Sequence, residues 1–348
     1  MTFNVGWDIG GAHLKAALLN EKGEVLAIYQ QPCPLWRGLI YLELAVKQIL
    51  PLLPTTIRHH TLTMTGELVD FFVSRDAGVA AIIHTMHNYL PQQTLFIYAG
   101  KQGILALEKV TAQDYEDIAS TNWLASASVV AQKIPTGLFV DIGSTTSDVL
   151  LCQNQAVQAM GFTDSQRLQS QELIYTGIVR TALMAVSQSV YFHGQPTGLM
   201  AEYFATMADV YRLTGDLQEA HDQTEPADGG EKNLFASAKR LARMIGQDFV
   251  DLELATYQQL ACQFKQQQKA QLQQACLRQL SRVCAVEEIY FVGAGVGRFL
   301  VQEIAADLKL PYQNFSDFFP TALTVSEMTI ADCAPAVAVA ELSRTFTL

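Results

Sequence analysis

The chain lacks any apolar stretch approaching the ~20 residues that cross a bilayer. Its longest runs, such as 77–83 and 334–340, stop far short, so no membrane crossing is expected. Its start, Met1-Thr-Phe-Asn-Val, has no basic segment leading into an apolar run and a small-residue cleavage site, and a cytoplasmic location is the expectation. Cysteine is sparse, at 33, 152, 262, 276, 284 and 333, with no C-x-x-C pair and no histidine at zinc spacing. That argues against a zinc framework and for reduced, buried thiols. Basic residues are also scarce: 23 Lys and Arg against 34 Asp and Glu leave a formal charge of −11, with no basic run interleaved with aromatics. A nucleic-acid partner is therefore not expected, and an anionic ligand has to be held by backbone N–H groups, a few local cations or a metal.

What is present is the composition of an ordinary globular protein, 49% hydrophobic and 16% charged, which excludes a disordered chain. At 348 residues, two domains are favoured. Residues 3–9 form an apolar run ending in Asp8-Ile-Gly-Gly; 13–20 and 24–30 follow as further strands, a β-meander. A helix over 39–53, a strand over 60–65, a helix over 75–89 and a strand over 94–98 come next. The plan then recurs: 137–142 is a strand ending in Asp141-Ile-Gly-Ser, and 145–152 continues it, 133 residues after the first unit. Such internal similarity points to two related lobes.

Further on, 199–213 reads as a helix halted at Thr214-Gly215, 216–232 as a surface loop, and 234–245 and 257–283 as helices. The glutamines of 257–283 read as solvated surface. The last third returns to α/β with a strand at 288–292, the turn Gly293-Ala-Gly295-Val-Gly297, a helix over 298–308 and a small-residue helix over 334–342 suited to close packing.

In each repeated unit a carboxylate ends a strand beside a glycine turn whose N–H groups can approach an anion. Asp8 and Asp141 are the metal candidates, for Mg²⁺, which keeps its waters and bridges phosphates. Gly10, Gly11, Gly143 and the hydroxyls of Ser144, Thr145 and Thr146 suit phosphate oxygens. His13 and Lys15 share one face of the second strand, and Lys15 is placed to meet phosphate. Gly293 and Gly295 add a third turn; without a full G-x-G-x-x-G or a distant acidic partner it is not a dinucleotide site.

Trp7-Asp-Ile-Gly-Gly-Ala-His-Leu-Lys, Phe139-Val-Asp-Ile-Gly-Ser-Thr-Thr-Ser-Asp and Tyr290-Phe-Val-Gly-Ala-Gly resemble, in order and spacing, the two phosphate motifs and the adenosine motif of the actin, Hsp70 and sugar-kinase superfamily. Within it, Gly6-Trp-Asp-Ile-Gly-Gly-Ala-His-Leu-Lys-Ala-Ala, Tyr175-Thr-Gly-Ile-Val-Arg-Thr and the string from Ala201 to Gly215 resemble hydantoinase/oxoprolinase-related proteins of tetrahydromethanopterin-linked one-carbon pathways. The resemblance implies an α/β, two-lobed actin-like ATPase fold (ribonuclease H-like) with a duplicated βββαβα core and a central cleft. The N-terminal lobe would take residues 1–130 and the C-terminal lobe 131–348, with a helical insertion over about 165–285 and a C-terminal helix free to return to the first lobe.

It further implies methanofuran biosynthesis, the carrier of a formaldehyde-oxidising, methylotrophic metabolism. An aminomethyl-furanmethyl diphosphate would condense with the phenol of a tyramine-glutamate or tyrosine-type acceptor and release diphosphate, with Mg²⁺ as cofactor and ATP not required. A phenol of pKa about 10 needs a base. Glu202 and Asp209, seven residues apart on the helix expected over 199–213, share a face and supply one, while Arg180 and Arg212 suit a carboxylate of the acceptor. Two alternatives stand beside this: an ATP-dependent small-molecule kinase or oxoprolinase-like enzyme of the same fold, and a non-catalytic binding protein. The assembly expected on general grounds is a homodimer.

Overall fold

A computed structural model describes residues 2–91, 94–250, 254–283, 288–322 and 328–346. Cys284 lies outside these. The chain divides into two compact units, the first comprising Met1–Gly137, Cys152–Asp164 and Gln313–Leu348, the second Leu138–Leu151 and Ser165–Tyr312.

The first unit opens as the β-meander expected from its alternating runs: β1 (Phe3–Ile9), β2 (His13–Asn20) and β3 (Val25–Pro32) pair antiparallel in sequence. Helix α1 (Ile40–Ile49) follows, its Leu42, Ala45, Val46 and Ile49 buried at helical spacing. It leads to β4 (Ile57–Met64), parallel to β1. Ser74 then caps α2 (Arg75–His87) by accepting from the Ala77 amide at 3.2 Å. Strands β5 (Leu95–Tyr98) and β6 (Ile104–Ala106) complete a six-stranded sheet of order β3-β2-β1-β4-β5-β6. The short α3 (Tyr115–Ile118) and the apolar α4 (Asn122–Ala131) come next.

The second unit is built on β7 (Thr136–Ile142) and β8 (Ser147–Gln153), the counterparts of β1 and β2. The stub β9 (Ala156–Val157) pairs with the end of β8 and precedes α5 (Asp164–Ser170). β10 (Leu173–Ile174), α6 (Leu183–Val186) and the hairpin β11 (Ser189–Phe192) and β12 (Gln195–Gly198) lead into three helices, α7 (Met207–Thr214), α8 (Leu234–Met244) and α9 (Leu254–Leu280). β13 (Tyr290–Ala294), α10 (Arg298–Asp307) and β14 (Tyr312–Asn314) follow, and the sheet runs β10-β8-β7-β13-β14.

The last helix, α11 (Ala334–Arg344), packs on β1, β2 and β4 of the first unit. Its small residues serve the close approach expected of them: a Cβ on Gly6 would stand 1.9 Å from the Ala336 carbonyl oxygen and 2.8 Å from the Ala340 nitrogen.

Two expectations fail here. The helix over 199–213 begins only at Met207, because Thr206 takes an extended backbone and forms a capping box with Asp209, the Thr206 amide donating to Asp209 Oδ2 at 3.1 Å. The glutamines of α9 are not all solvated: Gln268 and Gln279 are fully buried. Gln268 Nε2 donates to Thr176 Oγ1 at 2.7 Å and to the Gly177 carbonyl at 2.9 Å, while the Tyr211 hydroxyl donates to its Oε1. A buried amide persists only when its groups are paired in this way.

Candidate functional site

In the first unit the turn joining β1 to β2 is closed by the Gly10 amide donating to the His13 carbonyl at 2.9 Å. The carbonyls that follow are drawn backward: Gly11 O accepts from the Leu35 amide at 3.0 Å and Ala12 O from the Cys33 amide at 2.7 Å. Among the described residues the amides of Gly11 and Ala12 have no acceptor. Tying down carbonyls while leaving successive N–H groups unpaired makes a concave patch of positive potential, the geometry that binds anions.

The second unit repeats the construction. Gly143 N donates to Thr146 O at 2.9 Å; Gly143 O accepts from Ile178 N at 3.1 Å, and Ser144 O from Val179 N at 3.1 Å and Arg180 N at 2.8 Å. Among the described residues the amides of Ser144 and Thr145 have no acceptor. The strap at 176–180 lies so close that a Cβ on Gly177 would stand 2.4 Å from Thr145 N. Its own geometry is held by Thr181 Oγ1, which accepts from Gly177 N at 2.8 Å, and by Gln268 from below.

Gly293–Gly297 joins this second turn. Gly295, at φ 76°, brings its backbone against Asp141, where a Cβ would meet Asp141 Oδ1 at 2.3 Å, and Gly297 N donates to Ile142 O at 2.8 Å. Gly293 is needed for another reason: a Cβ there would stand 2.7 Å from the Tyr312 ring. Asp141, Gly143, Ser144, Thr145, Thr146, Arg180 and Gly295 thus come together around one turn. Arg180 is exposed and reaches the turn through its backbone.

Asp8, Gly10, Gly11, His13 and Lys15 gather at the first turn. Asp8 is buried, and that burial pushes its carboxyl above the ordinary range against the pull of the Lys15 charge and the Asn122 amide, which stands 3.4 Å from Oδ1. Lys15 Nζ donates to the Asp332 carbonyl at 2.6 Å, so part of its donor capacity is spent on the segment leading into α11. Among the described residues no group of three or more His, Cys, Asp or Glu could hold a metal ion. A single carboxylate beside each set of amides suits Mg²⁺ shared with a phosphate ligand, which needs one or two protein carboxylates and keeps its waters.

The helix face expected to present Glu202 and Asp209 together does not form. Glu202 is exposed and lies outside α7, so it shares no helix face with Asp209. Asp209 is buried: its Oδ1 takes Arg240 Nε at 2.8 Å and the Ser237 hydroxyl at 2.8 Å, and its Oδ2 takes the Thr206 amide. Arg212 is spent on Glu219, with contacts of 2.8 and 2.9 Å, and on Asp222 at 2.7 Å. Carboxylate and guanidinium neutralise each other inside the α7–α8 core, because an unpaired buried charge is too costly to keep. Neither Asp209 nor Arg212 has capacity left for a substrate.

Three further residues stand near the first turn: Glu67, Ser120 and Asn122. Thr65 N donates to Ile9 O at 3.0 Å, and a Cβ on Gly66 would stand 3.1 Å from Gly10 O, so the loop after β4 is seated on the turn. Glu67 follows it, buried, with Oε1 accepting from the Ser120 hydroxyl at 2.6 Å. No local pattern announces these residues, which lie 53 positions apart in the case of Glu67 and Ser120. The Thr65-Gly66-Glu67 break just past a strand end is the one cue available.

A family profile described as Hydantoinase/oxoprolinase matches residues 58–343. The chain is 29% identical over 245 residues, 70% of its length and 72% of the relative's, to the (4-{4-[2-(gamma-L-glutamylamino)ethyl]phenoxymethyl}furan-2-yl)methanamine synthase of Methanocaldococcus jannaschii. It is 31% identical over 124 residues to the synthase of the same name from Methanococcus vannielii, 35% of this chain and 55% of that one. Among solved structures, nucleotide-free acetone carboxylase matches with a TM-score of 0.60 at 9% identity over 97% of this chain and 70% of that chain, a likeness of fold.

Proposed function

Since this chain belongs to the hydantoinase/oxoprolinase family, we propose that it is a synthase of methanofuran assembly, forming an aryl ether between a furanmethyl diphosphate and a phenol. The observation that carries the reading is the match to the Methanocaldococcus jannaschii synthase across 70% of the chain. The name of that relative describes a phenoxymethylfuran. Forming such an ether by alkyl transfer breaks the bond from the furanmethyl carbon to diphosphate and makes one to the phenol oxygen. The chemistry then asks for three things: an anion site for the leaving group, a base for the phenol, and exclusion of water.

The amides of Gly11 and Ala12 and of Ser144 and Thr145, which have no acceptor among the described residues, supply anion capacity. Fixed N–H dipoles at a developing anion stabilise it without reorganising in the transition state. Each turn carries one carboxylate, Asp8 in the first unit and Asp141 in the second, that would hold Mg²⁺ beside a phosphate ligand, and the ion would supply further neutralisation of the leaving group's charge. Arg212 is already paired with Glu219 and Asp222 and would not serve an acceptor carboxylate.

The test is a mass-spectrometric assay of purified protein with the furanmethyl diphosphate, Mg²⁺ and either tyrosine or tyramine-glutamate, with and without ATP. Ether and free diphosphate without ATP support the synthase and identify its acceptor. The packing of Gly295 against Asp141 favours a nucleotide-dependent reaction as the second reading. Product that forms only with ATP, or phosphorylation of a small alcohol, would replace the first reading with the second.

A further inference from the structure

Glu202 and Asp209 do not share the helix face on which a base was expected, and Asp209 is paired to Arg240. We propose that Ser120 and Glu67 form a proton relay for the acceptor phenol: Ser120 Oγ takes the phenolic proton while passing its own to the Glu67 carboxylate. The proposal rests on the synthase reading.

Four observations support it. The Ser120 hydroxyl donates to Glu67 Oε1 at 2.6 Å, a charge-assisted length, with Ser120 7% exposed and the Glu67 side chain 0% exposed. Only the serine therefore meets a ligand, and the glutamate acts through it. Ser120 sits at φ 52°, a left-handed conformation that costs a non-glycine residue free energy and concentrates at functional positions. Among the described residues nothing hydrogen-bonds Glu67 Oε2, although it is buried, so the carboxylate has an open position for a proton. Finally, backbone packing builds the place: Gly66 rests on Gly10, and a Cβ on Gly78 of α2 would stand 2.4 Å from the Glu67 carbonyl oxygen.

The relay is tied to the first turn by one short segment. Ser120 holds Glu67 while Asn122, two residues on, holds Asp8. The charged groups facing Glu67 are Arg75 on α2, with Nε 3.8 Å from Oε1, and Asp164 at the start of α5, itself paired to Arg75 at 2.6 Å. Burial outweighs the Arg75 charge and raises the Glu67 carboxyl to about 7, the range in which a base works best near neutrality. The step balances: the phenol O–H breaks and a carboxyl O–H forms on Glu67, the phenol oxygen bonds the furanmethyl carbon, and diphosphate leaves with the electron pair. Glu67 returns its proton to water after product leaves.

The competing role is a structural pin for the 120–122 segment, and Glu67→Gln separates the two because its amide oxygen still accepts from Ser120 but takes no proton. Steady-state rates across pH would be measured for wild type, Glu67→Gln and Ser120→Gly, glycine tolerating the left-handed φ. The relay predicts kcat lower by about 100-fold in both variants, the KM for the furanmethyl diphosphate within about twofold, and loss in Glu67→Gln of the rate increase with midpoint near 7. Wild-type ether formation with either variant within about threefold of it, or with an unchanged pH limb in Glu67→Gln, overturns the relay and leaves the synthase standing. A wild type that forms no ether overturns both.

Discussion

Gly177→Ala drives a methyl group into the peptide joining Ser144 to Thr145, and its cost can be worked from the geometry. The new Cβ would stand 2.4 Å from Thr145 N, 2.5 Å from Ser144 C and 2.6 Å from Ser144 O. Heavy atoms settle at ~3.5 Å or more, so the peptide has to retreat by about 1 Å, and being backbone it cannot rotate aside. The bonds from Val179 and Arg180 to the Ser144 carbonyl, now 3.1 and 2.8 Å, stretch with it. Two weakened bonds at about 1 kcal/mol each, with roughly 1 kcal/mol of overpacking, give a loss of about 3 kcal/mol.

For a region of this size that lowers the thermal midpoint by roughly 6–12 °C. Displacing amides that would bind a charged ligand removes about 1.5–3 kcal/mol of affinity, a loss of roughly 10- to 150-fold. The assay is calorimetric titration with inorganic diphosphate and Mg²⁺, beside a melting curve. Gly198→Ala is the control, since nothing lies within 4 Å of its Cβ. A Gly177→Ala protein that binds diphosphate within twofold of wild type refutes the assignment of the second turn as an anion site shaped by the 176–180 strap.

Gly6→Ala should lose about 3 kcal/mol or fail to fold in denaturant titration, because the Ala336 carbonyl and Ala340 amide of α11 occupy the added methyl's place. Asp209→Ala leaves the Arg240 guanidinium buried without its Nε partner and should cost about 3–5 kcal/mol by the same titration. Glu202→Gln, at an exposed position, should stay within about 0.5 kcal/mol and keep wild-type turnover. Stability should also depend on pH through Glu67, raised from 4.5 to about 7: the folded chain holds a proton the unfolded chain has released, so this contribution is full below about 4.5 and lost as pH rises through about 7, by about 3 kcal/mol. His60, lowered by burial from 6.5 to about 4, acts in the opposite sense, losing stability as pH falls through that window. The advantage of Glu67→Gln over wild type should therefore grow between about pH 5 and about pH 8, and a pH-independent difference refutes the buried, proton-holding glutamate.

Local patterns were enough for the elements that carry the two turns. Alternating apolar residues ending in Asp8-Ile-Gly-Gly and Asp141-Ile-Gly-Ser specify two strand–turn–strand units, because strand period and the need for glycine at a tight turn are written in adjacent residues. The Tyr175-Thr-Gly-Ile-Val-Arg-Thr string stood out for its resemblance to a family, but only the structure shows that Gly177 and Thr181 shape the strap against the second turn. The Thr206 and Asp209 capping box was legible as T-x-x-D, yet the apolar run before it outweighed that cue and placed Glu202 in a helix it never enters.

By itself, then, the sequence determined strand period, turn chemistry and the pair of acidic turn residues, all of which depend on neighbours a few positions apart. The tertiary structure decided which charges are spent and which groups remain open. Asp209 and Arg212 sit on a helix whose pattern says nothing of Arg240, Asp222 or Glu219, and their pairing follows from the cost of burying each charge alone. Glu67 and Ser120 meet because β4 runs parallel to β1 and carries the loop beyond it onto Gly10. A contact across 53 residues leaves no periodic trace in the chain, so it takes the folded backbone to bring that carboxylate and that hydroxyl within 2.6 Å.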